Sequence, residues 1–288
     1  MWAAASGIGF GLFQGVNRRA VRDIGDPYAS TFVQLAIAAV VLLGVTFAAG
    51  EEAAVREASA WGITAFALAG IVHFLGGWTF LNISQVRIGA ARSSPLLTTA
   101  PIFGIAFAAL VYQQLPSAVA LLAMVPMIVG AYLVSTRSRG APVGWRDSLP
   151  GLGTALMWGS SPLLTLEGLK TLHSPLVGVS IGMVAAVAGY GVALVLRGRG
   201  LQLRAIARDA LTLKVAAAVL VAVATWWRWL ALDDAPVAVV LALQLLSVPV
   251  VLFVAPLLVG RHLEDVTLRV WFGSALVVGG ALALIWVG

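Results

Sequence analysis

Apolar runs of about 20 residues, the length that crosses a bilayer core of roughly 30 Å as a helix, follow one another almost without pause along this chain of 288 residues. They fall at roughly 2–21, 29–49, 60–83, 87–112, 116–136, 149–169, 175–196, 211–231, 236–259 and 265–287. Ten such helices use about 200 residues, which leaves only short connections and no room for a soluble domain. In lipid every backbone polar group must be satisfied within the segment, so the runs read as helices, and the alternating dyads of a membrane β-barrel are absent. The composition agrees. At 60% apolar and 10% charged residues the chain lacks the polar surface that a soluble domain needs. The expected fold is an all-α integral membrane bundle of about ten transmembrane helices.

The separators are local. Gly25-Asp26-Pro27 is a turn, Glu51 to Glu57 a polar loop, and 135–142 the central linker. Arg197-Gly198-Arg199-Gly200 opens the longest loop, whose stretch to Arg208 has the look of a short interfacial helix. Asp233-Asp234-Ala235-Pro236 is a tight turn. The absence of cysteine excludes disulfides and thiolate chemistry. The net charge of +6 is scattered over short loops, which suits the membrane topology bias and not nucleic-acid binding. Hydrophobicity begins at Trp2 without a basic leader, so no cleavable signal peptide is expected.

An internal repeat appears at an offset of 148 residues. Phe10-Gly11 falls on Trp158-Gly159, Pro27 on Pro175, Trp78 on Trp226, Pro101 on Pro249 and Leu115 on Leu263. Five coincidences in one register point to duplication, with repeats at 1–140 and 149–288. Each holds five helices, an odd number, so the second enters the membrane from the opposite side. Two inverted five-helix repeats are an architecture of secondary transporters, with the substrate site near the midplane between the halves.

The ordered motifs resemble those of the drug/metabolite transporter superfamily, specifically its ten-helix EamA-type members. They are Phe10-Gly11 and Trp158-Gly159-Ser160-Ser161 in the first helix of each repeat, and Ala100-Pro101-Ile102-Phe103 and Val248-Pro249-Val250-Val251 in the fourth. Val129-Gly130-Ala131-Tyr132-Leu133 and Val278-Gly279-Gly280-Ala281-Leu282 in the fifth complete the set. The resemblance implies a multi-pass inner-membrane transporter with both termini inside. One departure stands out. The family places Leu-Gly-Glu after the fourth helix of a repeat, where this chain reads Tyr112-Gln113-Gln114 and Val259-Gly260-Arg261. Charge opposes the implied orientation. Of 18 Lys and Arg residues, fifteen, Arg18, Arg92 and Lys214 among them, fall with the connections after odd-numbered helices. Two, Arg56 and Lys170, follow even-numbered ones. The positive-inside rule then puts the odd connections in the cytoplasm and both termini outside.

Polar residues inside spanning helices are costly and turn toward the bundle interior. At about 100° per residue, Phe10, Gln14 and Asn17 share one face of the first helix, and Trp158, Ser161, Pro162 and Thr165 one face of the sixth. Trp78, Asn82 and Gln85 align on the third, Ser94, Thr98 and Pro101 on the fourth, and Gln244 and Ser247 on the ninth. Converging, these faces make a cavity of amides, hydroxyls and indoles suited to a zwitterionic or aromatic solute. Taken singly, each residue reads equally well as a helix-joining polar group. Arg228, in Trp226-Trp227-Arg228-Trp229, reads either as a snorkelling cation in an aromatic belt or as an anchor for a substrate carboxylate. His73 reads as a packing residue rather than a proton relay. Glu167 pairs with Lys170 at i+3. The first helix carries no acid, so proton coupling has no evident carrier. Pro95, Pro101, Pro126, Pro162, Pro249 and Pro256 kink their helices, and no single glycine pair stands out.

The function expected is secondary transport of small metabolites, amino acids or similar solutes, across the plasma membrane by alternating access, in export or exchange. Translocation of a lipid-linked substrate is the alternative. No cofactor and no metal are expected, the partners being a small-molecule substrate and the bilayer; two fused repeats suffice as a monomer. An intramembrane enzyme is disfavoured, since no Gly-x-Ser-x-Gly occurs, and His173 and His262 lie in loops away from any acid cluster.

Overall fold

The structure, a computed structural model, describes all residues except 114–116, 136–143, 197–205, 236–239, 241–242, 262–263, 265 and 288. Among the described residues the regular structure is helical, with no strand. The long helices are α1 (Trp2–Ile24), α2 (Pro27–Ala48), α3 (Ala60–Ile88), α4 in two pieces (Ala90–Leu97 and Ala100–Tyr112), α5 (Ala118–Ser135), α6 (Trp145–Leu169), α7 (Pro175–Leu196), α8 (Arg208–Asp234), α9 (Ser247–Val259) and α10 (Leu268–Val287). The bundle is that of an all-α membrane protein. Four helices, α2, α3, α7 and α8, are each long and apolar enough to cross a bilayer on their own. Large apolar side chains such as Val40, Phe47, Leu110, Leu196, Phe253 and Leu257 stay exposed on the outside, where lipid replaces water.

Local chemistry sets the boundaries. Gly25, at φ 77°, ends α1 in the left-handed conformation that glycine adopts without penalty. Asp26 then caps α2 by accepting the Tyr28 N–H at 2.8 Å, with Pro27 at the first helical position. The sequence reading needs correction at several points. The stretch 51–57 is a short 3₁₀ turn and a short helix, not an open loop. Both α3 and α8 run longer than expected, and Asp233 and Asp234 are the last residues of α8 instead of a turn. A π-helical stretch, Ile71–Gly77, lies within α3. The single helix expected over 87–112 starts only after Gly89 (φ 81°) and breaks at Thr98-Thr99. Pro101 has no N–H to continue the ladder, and the Thr98 and Thr99 hydroxyls donate to Pro95 O and Leu96 O, each at 2.7 Å. In α9 the matching break is the turn Leu245-Leu246, directly before Ser247. The central linker, and the stretch from Arg197 toward Arg208 apart from its last residues, lie outside the described residues, as do Leu115 and Leu263 of the repeat.

The helices interleave. α1 packs along α8 and α9, while α6 packs along α3 and α4; α2 lies on α8 while α7 lies on α3; α2 meets α7, and α5 meets α10. Exchanging the first five helices for the last five leaves this list unchanged. α2 and α7 also begin and end 148 residues apart, and α3 and α8 begin at that same offset. Close crossings rest on glycine. A Cβ at Gly70 of α3 would overlap the carbonyl oxygen of Gly182 on α7, and one at Gly130 of α5 would overlap that of Gly273 on α10. These two pairs are the ones sequence could not single out.

Gly70→Ala should therefore cost about 1–3 kcal/mol by forcing α3 and α7 apart, read as a lower thermal unfolding midpoint in detergent. Gly191→Ala, where an added Cβ meets nothing within 4 Å, should leave the midpoint unchanged or raise it slightly.

Candidate functional site

A cavity of about 400 Å³ lies between the two sets of five helices. Phe10 and Gln14 of α1, the break of α4 (Thr98, Ala100, Pro101), Trp158 and Pro162 of α6, Arg228 of α8, and Gln244 and Ser247 at the break before α9 form most of its wall. Proline explains why the wall is concave there. Both α4 and α9 give up a continuous ladder at this level, and the backbone that is freed lines a cavity instead of facing lipid. The lining runs from the middle of the helices toward the face that carries both chain termini, here the terminal face; the opposite one is the basic face.

Five of the ten residues expected at the site line this cavity: Gln14, Thr98, Trp158, Gln244 and Arg228. Arg228 is only 6% exposed, so it does not snorkel to the surface. Its Nε has no hydrogen-bond partner, and no carboxylate pairs with it among the described residues. Gln14 Oε1 is likewise buried without a partner. Gln244 is fixed by donating to Ser6 Oγ at 2.7 Å, and Ser6 donates on to Ala224 O at 2.6 Å. Trp158 is held in place by its indole N–H, which donates to His73 O at 3.2 Å. Its ring stacks on the His73 imidazole at 5.3 Å and meets Phe10 edge-on at 5.8 Å.

The other five sit elsewhere. Ser161 holds the His73 ring through its Nδ1 at 2.7 Å, and Thr165 donates to Ser161 O on the same helix. His73 thus packs, as its sequence position suggested, and in doing so it orients Trp158 of the cavity wall. Trp78 is fully buried between Phe13 and Phe74. Asn17 and Asn82 belong to a buried polar layer nearer the basic face. Asn17 Nδ2 donates to Asn82 Oδ1 at 2.7 Å and to Gln85 Oε1 at 2.8 Å, and Asn82 donates to Thr31 Oγ1 at 2.7 Å. At the centre of the layer is Lys214, whose ammonium donates to Asn17 Oδ1 and Gln34 Oε1. Lys214 is fully buried, so its place among the loop charges is a correction; Arg18 and Arg92, 8% and 5% exposed, are buried too.

Beyond this layer a second missed group closes the basic face. Glu264 is 2% exposed. Its carboxylate accepts from Arg18 Nε at 2.7 Å and from the Ala90 and Ala91 N–H groups at 3.1 and 3.0 Å. It thereby ties the connection after α9 to α1 and caps the first piece of α4, where anionic charge suits the helix dipole. On the surface Glu167 and Lys170 pair at 2.6 Å, as their spacing implied.

Glu264→Gln should cost about 3–5 kcal/mol of stability, the cost of leaving Arg18 buried and unpaired, as a lowered unfolding midpoint. The double change Arg18→Met with Glu264→Gln should recover part of that loss.

Similarity to known proteins points the same way. No curated protein matches the chain. Nine chains of solved structure do match. One, described only as "Crystal structure of protein", superposes with a TM-score of 0.63 at 18% identity, covering 97% of this chain and 95% of its own. At that identity the likeness speaks for the fold alone. The model of the EamA-like transporter family matches residues 1–136, which hold the first five helices of this chain, a match consistent with the drug/metabolite transporter superfamily.

Proposed function

We propose that this protein is a secondary transporter of small metabolites bearing a carboxylate, amino acids or similar solutes. The observation that carries the reading is Arg228: a buried guanidinium on the cavity wall, with an unpartnered Nε and, among the described residues, no carboxylate paired with it. Arginine presents a planar fork of donors that matches a carboxylate. A charge kept in a membrane interior without a counterion is a functional group by default. Gln14 and Gln244 offer amides for the polar end of such a solute, and Phe10, Trp158 and Pro162 offer apolar surface for its side chain.

The mechanism that fits is alternating access in the plasma membrane, in export or exchange. The cavity lies toward the terminal face, while the Lys214 layer and the Arg18–Glu264 tie stand between it and the basic face. Release of that tie with closure over Arg228 gives the opposite state, the two five-helix units, 1–140 and 149–288, rocking about the cavity. The loop charges favour the basic face in the cytoplasm and both termini outside.

The test is counterflow of pooled labelled amino acids into liposomes holding the purified protein. Wild type should take up label. Arg228→Gln should lose most of it, with uptake down by about tenfold or more, the size of one lost charge-assisted bond pair, while Trp158→Ala should weaken uptake for aromatic solutes most. Folded Arg228→Gln with wild-type uptake would rule out the anchor, and a silent folded wild type would exclude amino acids as the solute.

A further inference from the structure

Lys214 is an ionisable group that the cavity does not use. It lies fully buried, six residues inside α8. That is about 9 Å from the start of the helix, at 1.5 Å per residue. Nζ donates to Asn17 Oδ1 and Gln34 Oε1, and among the described residues no carboxylate is within ion-pair distance of it. A buried cation without a counterion is expensive inside a bilayer, and where one is kept it marks a substrate or proton path. Lys214 does not line the cavity described above, and a proton is the smallest ligand that Nζ can hold.

The bonds around Lys214 run in one direction. Asn17 spends its amide nitrogen on Asn82 and Gln85, and so has only its oxygen to offer the ammonium. Asn82 donates onward to Thr31, and Thr31 to Pro27 O at 2.8 Å. Gln85 donates to Gln14 O at 3.3 Å. Each donor that finds a partner points away from Lys214, the order that a protonated amine at the head imposes, and Gln34 Nε2 has none. Loss of the proton removes the charge assistance that roughly doubles the strength of such bonds, and leaves a lone pair that no donor faces. The slackening is felt first at Asn17, and through Gln85 at the backbone of Gln14, whose side chain lines the cavity.

We propose that Lys214 is the proton-binding site of the transporter, taking up and releasing one proton per cycle and so linking solute movement to a pH gradient. The inference rests on the transport reading above. The step is a plain transfer: the N–H bond of the ammonium breaks, its electron pair stays on Nζ, and the proton passes to water on the side then open. Lysine can do this at accessible pH; arginine cannot. α8 packs on α1, α2 and α7. The ionisable groups these present near this level are Arg18, which is paired with Glu264, and Tyr28 and Tyr190, which pack against or within the apolar cluster that holds Val221 of α8. Lys214 bonds to none of them.

Two variants separate protonation from mere donation of hydrogen bonds. Lys214→Gln removes the charge; Lys214→Arg keeps charge and donors and never releases the proton. In proteoliposomes given pooled labelled amino acids, wild type should accumulate label against its gradient when a pH difference is imposed. Both variants should show the same uptake with and without that difference. Accumulation retained by Lys214→Arg would mean that Lys214 only supports the layer, and overturns the proposal; accumulation retained by Lys214→Gln does so too. A wild type that moves no amino acid defeats the solute reading of the cavity instead, and a measurement without solute then decides this one. Titrated in detergent from mildly acidic to mildly alkaline pH, folded wild type should release one proton more than folded Lys214→Arg. Equal release overturns the proposal.

Discussion

Lys214 has no water to bond to, and neither has anything else at its depth. A bilayer offers no partners, so each polar group of the interior is matched within the protein or kept for a ligand. Asn17, Gln34, Asn82, Gln85 and Thr31 are drawn into one layer because the ammonium needs oxygens and the amides of Asn17, Asn82 and Gln85 in turn need somewhere to donate. The same demand places Glu264 against Arg18 and two free N–H groups of α4, and turns the Thr98 and Thr99 hydroxyls back on the helix they interrupt. Among the buried side-chain atoms left without a partner are Arg228 Nε and Gln14 Oε1, and both residues line the cavity.

The interleaving of the two sets of helices places these groups on a shared boundary. α1 belongs to the first five helices, yet its neighbours are α8 and α9; α6 lies against α3 and α4. Cavity and polar layer are therefore each assembled from both ends of the chain. Asn17 meets Lys214 across 197 residues of sequence, and Arg18 meets Glu264 across 246. A shift of one unit against the other cannot avoid disturbing these contacts. Close crossings such as Gly70 on Gly182 bring the two sets of helices backbone to backbone as well.

The class of fold was legible because lipid imposes it on composition and run length, and the helix pairs because Pro27 and Pro175 open helices of equal length. Half of the residues expected at the site reach the cavity, Gln14, Thr98, Trp158 and Gln244 read from facial alignment and Arg228 from its charge. Facial alignment fails where a face changes its neighbour along its length. Gln14 and Asn17 share one side of α1, but a turn apart they meet a cavity and a buried lysine respectively. Lys214 itself lay three residues inside an expected helix and was still counted with the loops, since a cation near a helix end ordinarily reaches the surface. The missing signal was its partners, Asn17 and Gln34, which only the packing of α1, α2 and α8 brings together. Glu264 escaped for a similar reason, lying at the end of a connection where acids are common and seldom buried.

Ala100 begins the second piece of α4 and Ser247 begins α9, and both residues line the cavity. The start of a helix carries roughly half a positive charge from its aligned peptide dipoles. Leu97, the last residue of the first piece of α4, lines the same cavity, so the negative end of one piece lies beside the positive end of the next and the two offset each other. Among the described residues Arg228 is the one charged side chain of the lining. Replacing its other side chains can change the shape of the cavity and its reach for particular solutes, while the sign of its potential rests on that one guanidinium.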